Sequence, residues 1–188
     1  QSGDYRGAEK AMDKALELIG YEQFLKEEQP RLRAEGKHAG IGVVAYVEGT
    51  GIGPYEGARV KVQTSGKVSL ATGIGTQGQG HFTSFAQIVA DQVGVDVRDV
   101  EVVTGDTDQF YWGAGTFASR GAVVAGNATN EAAKDVRQKI LKLAAEHFEC
   151  AEEDLELAEG QVRVKGVPPS VKTIRLGDLA AKANPLRG

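Results

Sequence analysis

Between Thr72 and Thr83 the chain reads TGIGTQGQGHFT, four glycines and two glutamines set between a run suited to a strand and a run suited to a helix. Glycine takes positive φ and lets a ligand reach main-chain N–H groups with no Cβ in the way, so Gly73, Gly75, Gly78 and Gly80 predict a tight turn around a guest. The helix that follows offers unpaired N–H groups at its start, where an anion is favoured. Gln77 and Gln79 add amides that both donate and accept, which suits a heterocycle edge or a bound oxygen better than a bare phosphate. The chemistry expected here is cofactor holding, although GxGxxG also occurs in turns that bind nothing.

A second loop repeats the design. Gly105 to Gly121, GDTDQFYWGAGTFASRG, follows a short apolar run and opens a long helix. Ser119 and Arg120 stand at that helix start, where a hydroxyl can cap and a guanidinium can pair with phosphate. Arg120 has two readings, a ligand contact or a surface arginine, and its glycine and apolar neighbours favour the first. His81 likewise either contacts the cofactor or caps and solvates a helix start. Asp106 and Asp108 have the spacing of an Asx turn and are assigned no chemistry. Cys150 has no His or Cys partner at ligand or nucleophile spacing.

These loops need elements to position them. Ala58–Gln63 and Lys67–Ala71 read as a hairpin turning at Ser65-Gly66. Phe82, Phe85, Ala86, Val89 and Val93 give helical spacing with Gly94 as its stop, and Val100–Thr104 reads as a buried strand. The helix after the second loop carries Ala125, Ala128, Ala132, Val136, Ile140 and Leu143 on one face, small at the start where close approach is needed. Leu155–Leu157 and Gln161–Val164 alternate as a hairpin, with a short helix near Leu176–Ala183. Upstream, one helix runs from Gly7 to Gly20 and another from Tyr21 to Ala34, which Pro30 should kink or divide. Ile41–Val47 reads as a buried strand. Gly49–Gly57 is either a wall beside the cofactor or a wide connection, the second being favoured. The expected fold is α+β, a mixed sheet with hairpins and helices packed on one side as a two-layer sandwich. Residues 1–36 form a helical lead-in and residues 37–188 the α+β region.

At 188 residues there is room for one core; the net charge of −4, from 26 acidic and 22 basic residues, argues against nucleic acid as a partner. No stretch is long and apolar enough to span a bilayer, and the single cysteine suits a reducing compartment such as the cytoplasm. A start at Gln1, a lone methionine at Met12 and a connector-like ANPLRG ending lead us to expect a piece of a longer chain.

TQGQGH, GDTD and GTFASRG, in that order, resemble the molybdopterin-binding region of the large subunit of molybdenum hydroxylases, the xanthine dehydrogenase and aldehyde oxidase family. Similarity is greatest to the aerobic carbon monoxide dehydrogenase branch, which YVEGTGIGPYEGA, Tyr46 to Ala58, also resembles. The likeness extends from the first helix to about Ala180. It implies that Gln77, Gly78, Gln79, Gly80 and His81, with Thr83 beside them, hold a pterin cofactor near its molybdenum. It implies further that Gly115, Thr116, Phe117, Ala118, Ser119 and Arg120 embrace the phosphate portion.

In that family the metal is bound by the cofactor's dithiolene sulfurs, so no metal ligand is assigned to this chain. The cofactor's form, molybdopterin alone or its cytosine dinucleotide, is left open. A family glutamate in a GxGE-type run acts as the base; no such run occurs here, Val47-Glu48-Gly49 lacks the pattern, and no catalytic residue is assigned. The implied partners are the remainder of the large subunit, an iron–sulfur small subunit, a FAD-binding medium subunit and a small-molecule substrate. Two other readings stand beside this one. The chain is a non-catalytic α+β scaffold or subunit-interface module, or a nicotinamide or flavin dinucleotide enzyme, against which the hairpin before the loop and the placing of Asp96 argue.

Overall fold

The structure, a computed structural model, describes residues 6–46 and 48–183. Val47 and the connector expected over Ala183–Gly188, except Ala183, lie outside the described residues. The chain divides into two compact units, residues 1–47 and residues 48–188.

In the first unit, α1 (Arg6–Leu18) ends before Gly20, whose left-handed backbone (φ 66°) reverses the path into α2 (Tyr21–Gln23). A π-helical turn, Phe24–Glu28, then leads into α3 (Gln29–Ala34). The Gln29 N–H reaches back five residues to Phe24 O, and Pro30, which has no N–H to give, takes the following position. The expected division of the helix is therefore a change of hydrogen-bond register. The strand expected over Ile41–Val47 does not form in residues 41–46. A strand needs a neighbour to share its ladder, and Val44 and Tyr46 stand 85% and 80% exposed rather than buried.

The second unit is α+β and holds two three-stranded sheets, where sequence patterning had pointed to one. In the first, β1 (Ala58–Val62) and β2 (Val68–Thr72) pair antiparallel from Ala58↔Thr72 to Val62↔Val68. Gly66 (φ 88°) makes the expected turn between them. From β2 the chain passes through the glycine loop and α4 (His81–Val93) to β3 (Val100–Thr104), which pairs parallel with β2. The sheet is thus mixed, and the loop lies inside a βαβ crossover. Asp96 stands at the far end of β3 from that loop, where its carboxylate accepts the Arg98 N–H, so it is no ribose-binding acid.

Helix α5 (Asn127–Phe148) packs on β1 and on α4, and α4 packs on β3, which puts both helices on one face of the sheet. Val68, Leu70, Phe85, Val89, Val93, Ala133, Ile140 and Ala144 form the common core. Phe85, Ala86, Val89 and Val93 are buried as expected, as are Ala125 and Ile140, and the differences fall at single positions. Phe82 is 51% exposed while His81 and Ala90 go inward, and on α5 the inward line is Thr129, Ala133, Ile140 and Ala144. The second sheet is antiparallel, made of β4 (Leu155–Ala158), β5 (Gln161–Val164) and β6 (Thr173–Arg175), and α6 (Leu176–Lys182) follows directly. Glu159 and Gly160 both take positive φ, 53° and 70°, the two-residue turn that matches strand twist.

Candidate functional site

The first loop leaves β2 at Thr72 and enters α4 at His81. Its base is closed: a Cβ on Gly73 would fall on the Trp112 carbonyl, and one on Gly113 would fall on the Gly73 carbonyl. The two loops meet there backbone to backbone. Thr116 adds a second tie by donating its hydroxyl to Gly75 O. Beyond this base the turn opens, and Gln77, Gly78, Gln79 and Gly80 are all exposed. Gly78 (φ 93°) and Gly80 (φ 87°) occupy the left-handed region, and a Cβ on Gly75, Gly78 or Gly80 would meet nothing within 4 Å. Gln79 Oε1 accepts the Gln77 N–H at 2.6 Å, so one glutamine amide props the turn from within.

Helix α4 has no side-chain cap at Gly80. Thr83 is exposed on its first turn, with its N–H bonded to Gly80 O at 3.1 Å. His81 is turned inward. Its ring is buried and stacks on Phe85 at 4.8 Å, so it neither solvates the helix start nor stands on the open side of the turn. A Cβ on Gly121 would approach His81 Nε2 to 2.6 Å, which places the ring under the start of the second helix. Nδ1 has no hydrogen-bond partner, and burial lowers the pKa of the ring below its ordinary value.

The second loop has a different support. Asp106 and Asp108 form the expected Asx turn, Asp108 N–H donating to Asp106 Oδ1 at 2.9 Å. Gly115 has φ 107°, and Ala118 and Ser119 hold left-handed conformations at φ 47° and 48°, a sparsely populated setting for residues with a Cβ. Phe117 is 47% exposed, with its ring 5.0 Å from the Arg120 guanidinium carbon. Ser119 is exposed, but the π-helical turn Gly121–Gly126 that follows has no side-chain cap, so the hydroxyl cap expected there is not made.

Arg120 is fully buried and makes an ion pair with Glu56, also buried. Its other contacts are to Pro54 O and, at 2.8 Å, Gly115 O. The two terminal nitrogens of the guanidinium are thus engaged by groups of the protein itself. Glu56 escaped sequence reasoning because it stands in Gly49–Gly57, read as a wide connection. That segment instead packs on the second loop: Trp112 Nε1 donates to Tyr55 O at 3.1 Å, the two rings stack at 5.2 Å, and Gly51 N–H donates to Ala118 O at 3.0 Å. One signal was present, since a lone arginine among glycines requires an acid, and Glu56 is the only acidic residue in Gly49–Gly57.

The open turn can take a planar heterocycle against bare main chain, with neutral amides at its edge and a helix start for an anionic group. Residues 14–187 match the family model of the molybdopterin cofactor-binding domain. The chain belongs to that family. This molybdopterin-binding domain is 36% identical over 176 residues to the 6-hydroxypseudooxynicotine dehydrogenase complex subunit gamma of Paenarthrobacter nicotinovorans, covering 94% of this chain and 22% of that one. It is 34% identical to the carbon monoxide dehydrogenase large chain of Afipia carboxidovorans, covering 88% and 22%. The solved structure of reconstituted CO dehydrogenase from Oligotropha carboxidovorans superposes with a TM-score of 0.65 at 33% identity, covering 100% of this chain and 25% of that one. The domain therefore spans about a quarter of the length of such relatives. Its residues fit the family's cofactor: at Gly75, Gly78 and Gly80 no side chain covers the main chain, and the space that a Cβ would enter there holds no other protein atom within 4 Å. Among the described residues no group of three His, Cys, Asp or Glu stands together as a metal site.

Proposed function

We propose that this chain is the cofactor-cradling part of the large subunit of a molybdenum-dependent hydroxylase or dehydrogenase. The observation that carries the reading is the open Gln77–Gly80 turn, locked at its base to a second glycine loop. Gln77, Gly78, Gln79, Gly80 and Thr83 receive the pterin and its polar edge. The main chain of Gly115, Thr116, Phe117, Ala118 and Ser119 lies along the phosphate portion, with His81 and Arg120 beneath these surfaces. When bound, the cofactor supplies the redox centre at which a small-molecule substrate takes up oxygen derived from water.

The chain's share is positioning. Bare glycine main chain admits the ring system, the exposed Gln77 amide satisfies its edge, and the unpaired N–H groups at the start of α4 favour negative charge there. The base acts from the remainder of the subunit. Electrons leave through an iron–sulfur small subunit and a FAD-binding medium subunit, and a free Cys150 suits assembly in the cytoplasm.

Molybdenum, pterin and acid-released nucleotide, measured in the full-length subunit and in this chain purified from the same cofactor-producing host, test the reading. Stoichiometric cofactor in the full-length protein supports it, and released cytidine nucleotide would fix the dinucleotide form. Absence of cofactor from both proteins would favour the scaffold reading.

A further inference from the structure

The Glu56–Arg120 pair is more than a neutralised charge. Glu56 Oε1 accepts from Arg120 and also from the N–H groups of Ala114 and Gly115, at 3.0 and 3.2 Å. Arg120 Nη1 donates to Gly115 O at 2.8 Å, and Nη2 donates to Pro54 O. One ion pair thus grips the second loop where residues 115–119 begin and where they end. Between those grips lie two non-glycine residues in left-handed conformation, Ala118 and Ser119. Such residues cost about 1–2 kcal/mol each and persist only where their surroundings impose them.

A buried ion pair is seldom the most stable way to fill an interior, because desolvating both charges offsets their attraction. This one is also incompletely satisfied: Glu56 Oε2 and Arg120 Nε are buried without a hydrogen bond. Stability alone therefore gives it little reason to exist. What it provides is direction, since a planar guanidinium fork fixes the angle of whatever carries it. Gly53 permits the arrangement, for a Cβ there would press to 3.2 Å on the Phe117 ring that covers the guanidinium.

Resting on the cofactor-holding reading above, we infer that Glu56 and Arg120 are positioning residues for the second cofactor loop. Arg120 acts on the cofactor through the 115–119 main chain that the pair aims, without touching the phosphate. The two possibilities differ in what a lysine can do. A phosphate contact is served well by a point charge, so Arg120→Lys would largely rescue what Arg120→Ala loses. A fork bound to a carboxylate and two carbonyls is not replaced by an ammonium.

The test uses the full-length subunit with Glu56→Gln, Arg120→Lys and Arg120→Ala, reading pterin and molybdenum content in all three and tryptic cleavage at the Arg120–Gly121 bond in Glu56→Gln, where the arginine is retained. Glu56→Gln is expected to lower cofactor retention by about tenfold, the scale of a lost charged hydrogen bond. It should also open the tryptic site that the unaltered apoprotein protects, and Arg120→Lys should fall close to Arg120→Ala. Should Glu56→Gln fail to fold, Glu56→Asp keeps the charge while withdrawing it by one methylene, and a loss of retention is again expected. Unchanged cofactor content in the folded Glu56 variant, or rescue by lysine, would overturn the inference while leaving the cofactor-holding reading intact. An unaltered protein that takes up no cofactor would remove that reading, and the inference with it.

Discussion

The two glycine loops share a plan, strand then glycine turn then helix, yet they are held in different ways. The first takes its shape from backbone freedom: Gly78 and Gly80 adopt positive φ, and the tip stands in open space. The second is held from outside, by a buried charge pair, a stacked Tyr55–Trp112 couple and the Gly51–Ala118 hydrogen bond. A turn made by glycine needs nothing beneath it and leaves its surface free. Residues 118 and 119 carry a Cβ in a left-handed conformation and require a support, which Glu56 and Arg120 provide from another segment. The loops also depend on each other, since Gly73 and Gly113 fit only without side chains.

That shared base is where the comparison breaks most easily. Gly73→Ala puts a methyl group onto the Trp112 carbonyl, main chain that can yield only by separating the loops. The expected cost is about 3 kcal/mol, at the upper end for an overpacked interior. Gly75→Ala, two residues on, meets nothing within 4 Å and should stay within about 0.5 kcal/mol of the unaltered chain. Urea unfolding of both variants measures the difference, and equal midpoints would mean that the loops are not locked at this point.

Gly78→Val separates shape from function within the first loop. Its φ of 93° makes any side chain strained, while no neighbour obstructs it. The fold should lose only about 1–2 kcal/mol. Cofactor content of the full-length subunit should nevertheless fall at least tenfold, by the lost main-chain approach, an effect on the order of 1.4 kcal/mol or more. Full molybdenum occupancy in the variant would move the binding surface away from this tip.

Local pattern made much of the frame legible. The β1–β2 hairpin, α4 with its Gly94 stop, β3 and the β4–β5 hairpin follow from alternation, helical spacing and turn chemistry between near neighbours. Three features depended on partners far along the chain. Residues 41–46 have the composition of a strand, but composition does not supply the neighbouring edge a strand requires. Whether His81 or Phe82 faces inward is a rotation of one residue, decided by what α5 and Gly121 place opposite. The sequence around Arg120 favours a ligand contact, and the acid it pairs with stands in a segment whose glycines suggest a mere connection. The resemblance located both loops and could not say which side chains face the guest and which hold the loop up.

The smallest expected effect concerns His81, the one titrating group the two loops share through Gly121. Burial disfavours its imidazolium, so its folded pKa lies below the value near 6.5 of the unfolded chain. Between those two values the unfolded chain binds more protons than the folded one, and stability must fall as the pH is lowered. The contribution is complete above the unfolded pKa. It is lost progressively as pH drops from there toward the folded pKa, by up to about 1.4 kcal/mol for each pH unit within that window. The stack on Phe85 is apolar in its demands, so His81→Phe keeps a ring in place while removing the titration. Stability of the unaltered chain minus that of His81→Phe, followed by urea unfolding from pH 7.5 to pH 5, should therefore decline as the pH falls. A flat difference would mean that the ring takes up its proton as readily in the fold as outside it. Gly121 would then be yielding at Nε2 to let the ring charge, and the joint between the loops would be looser than the Gly73–Gly113 contact at their base.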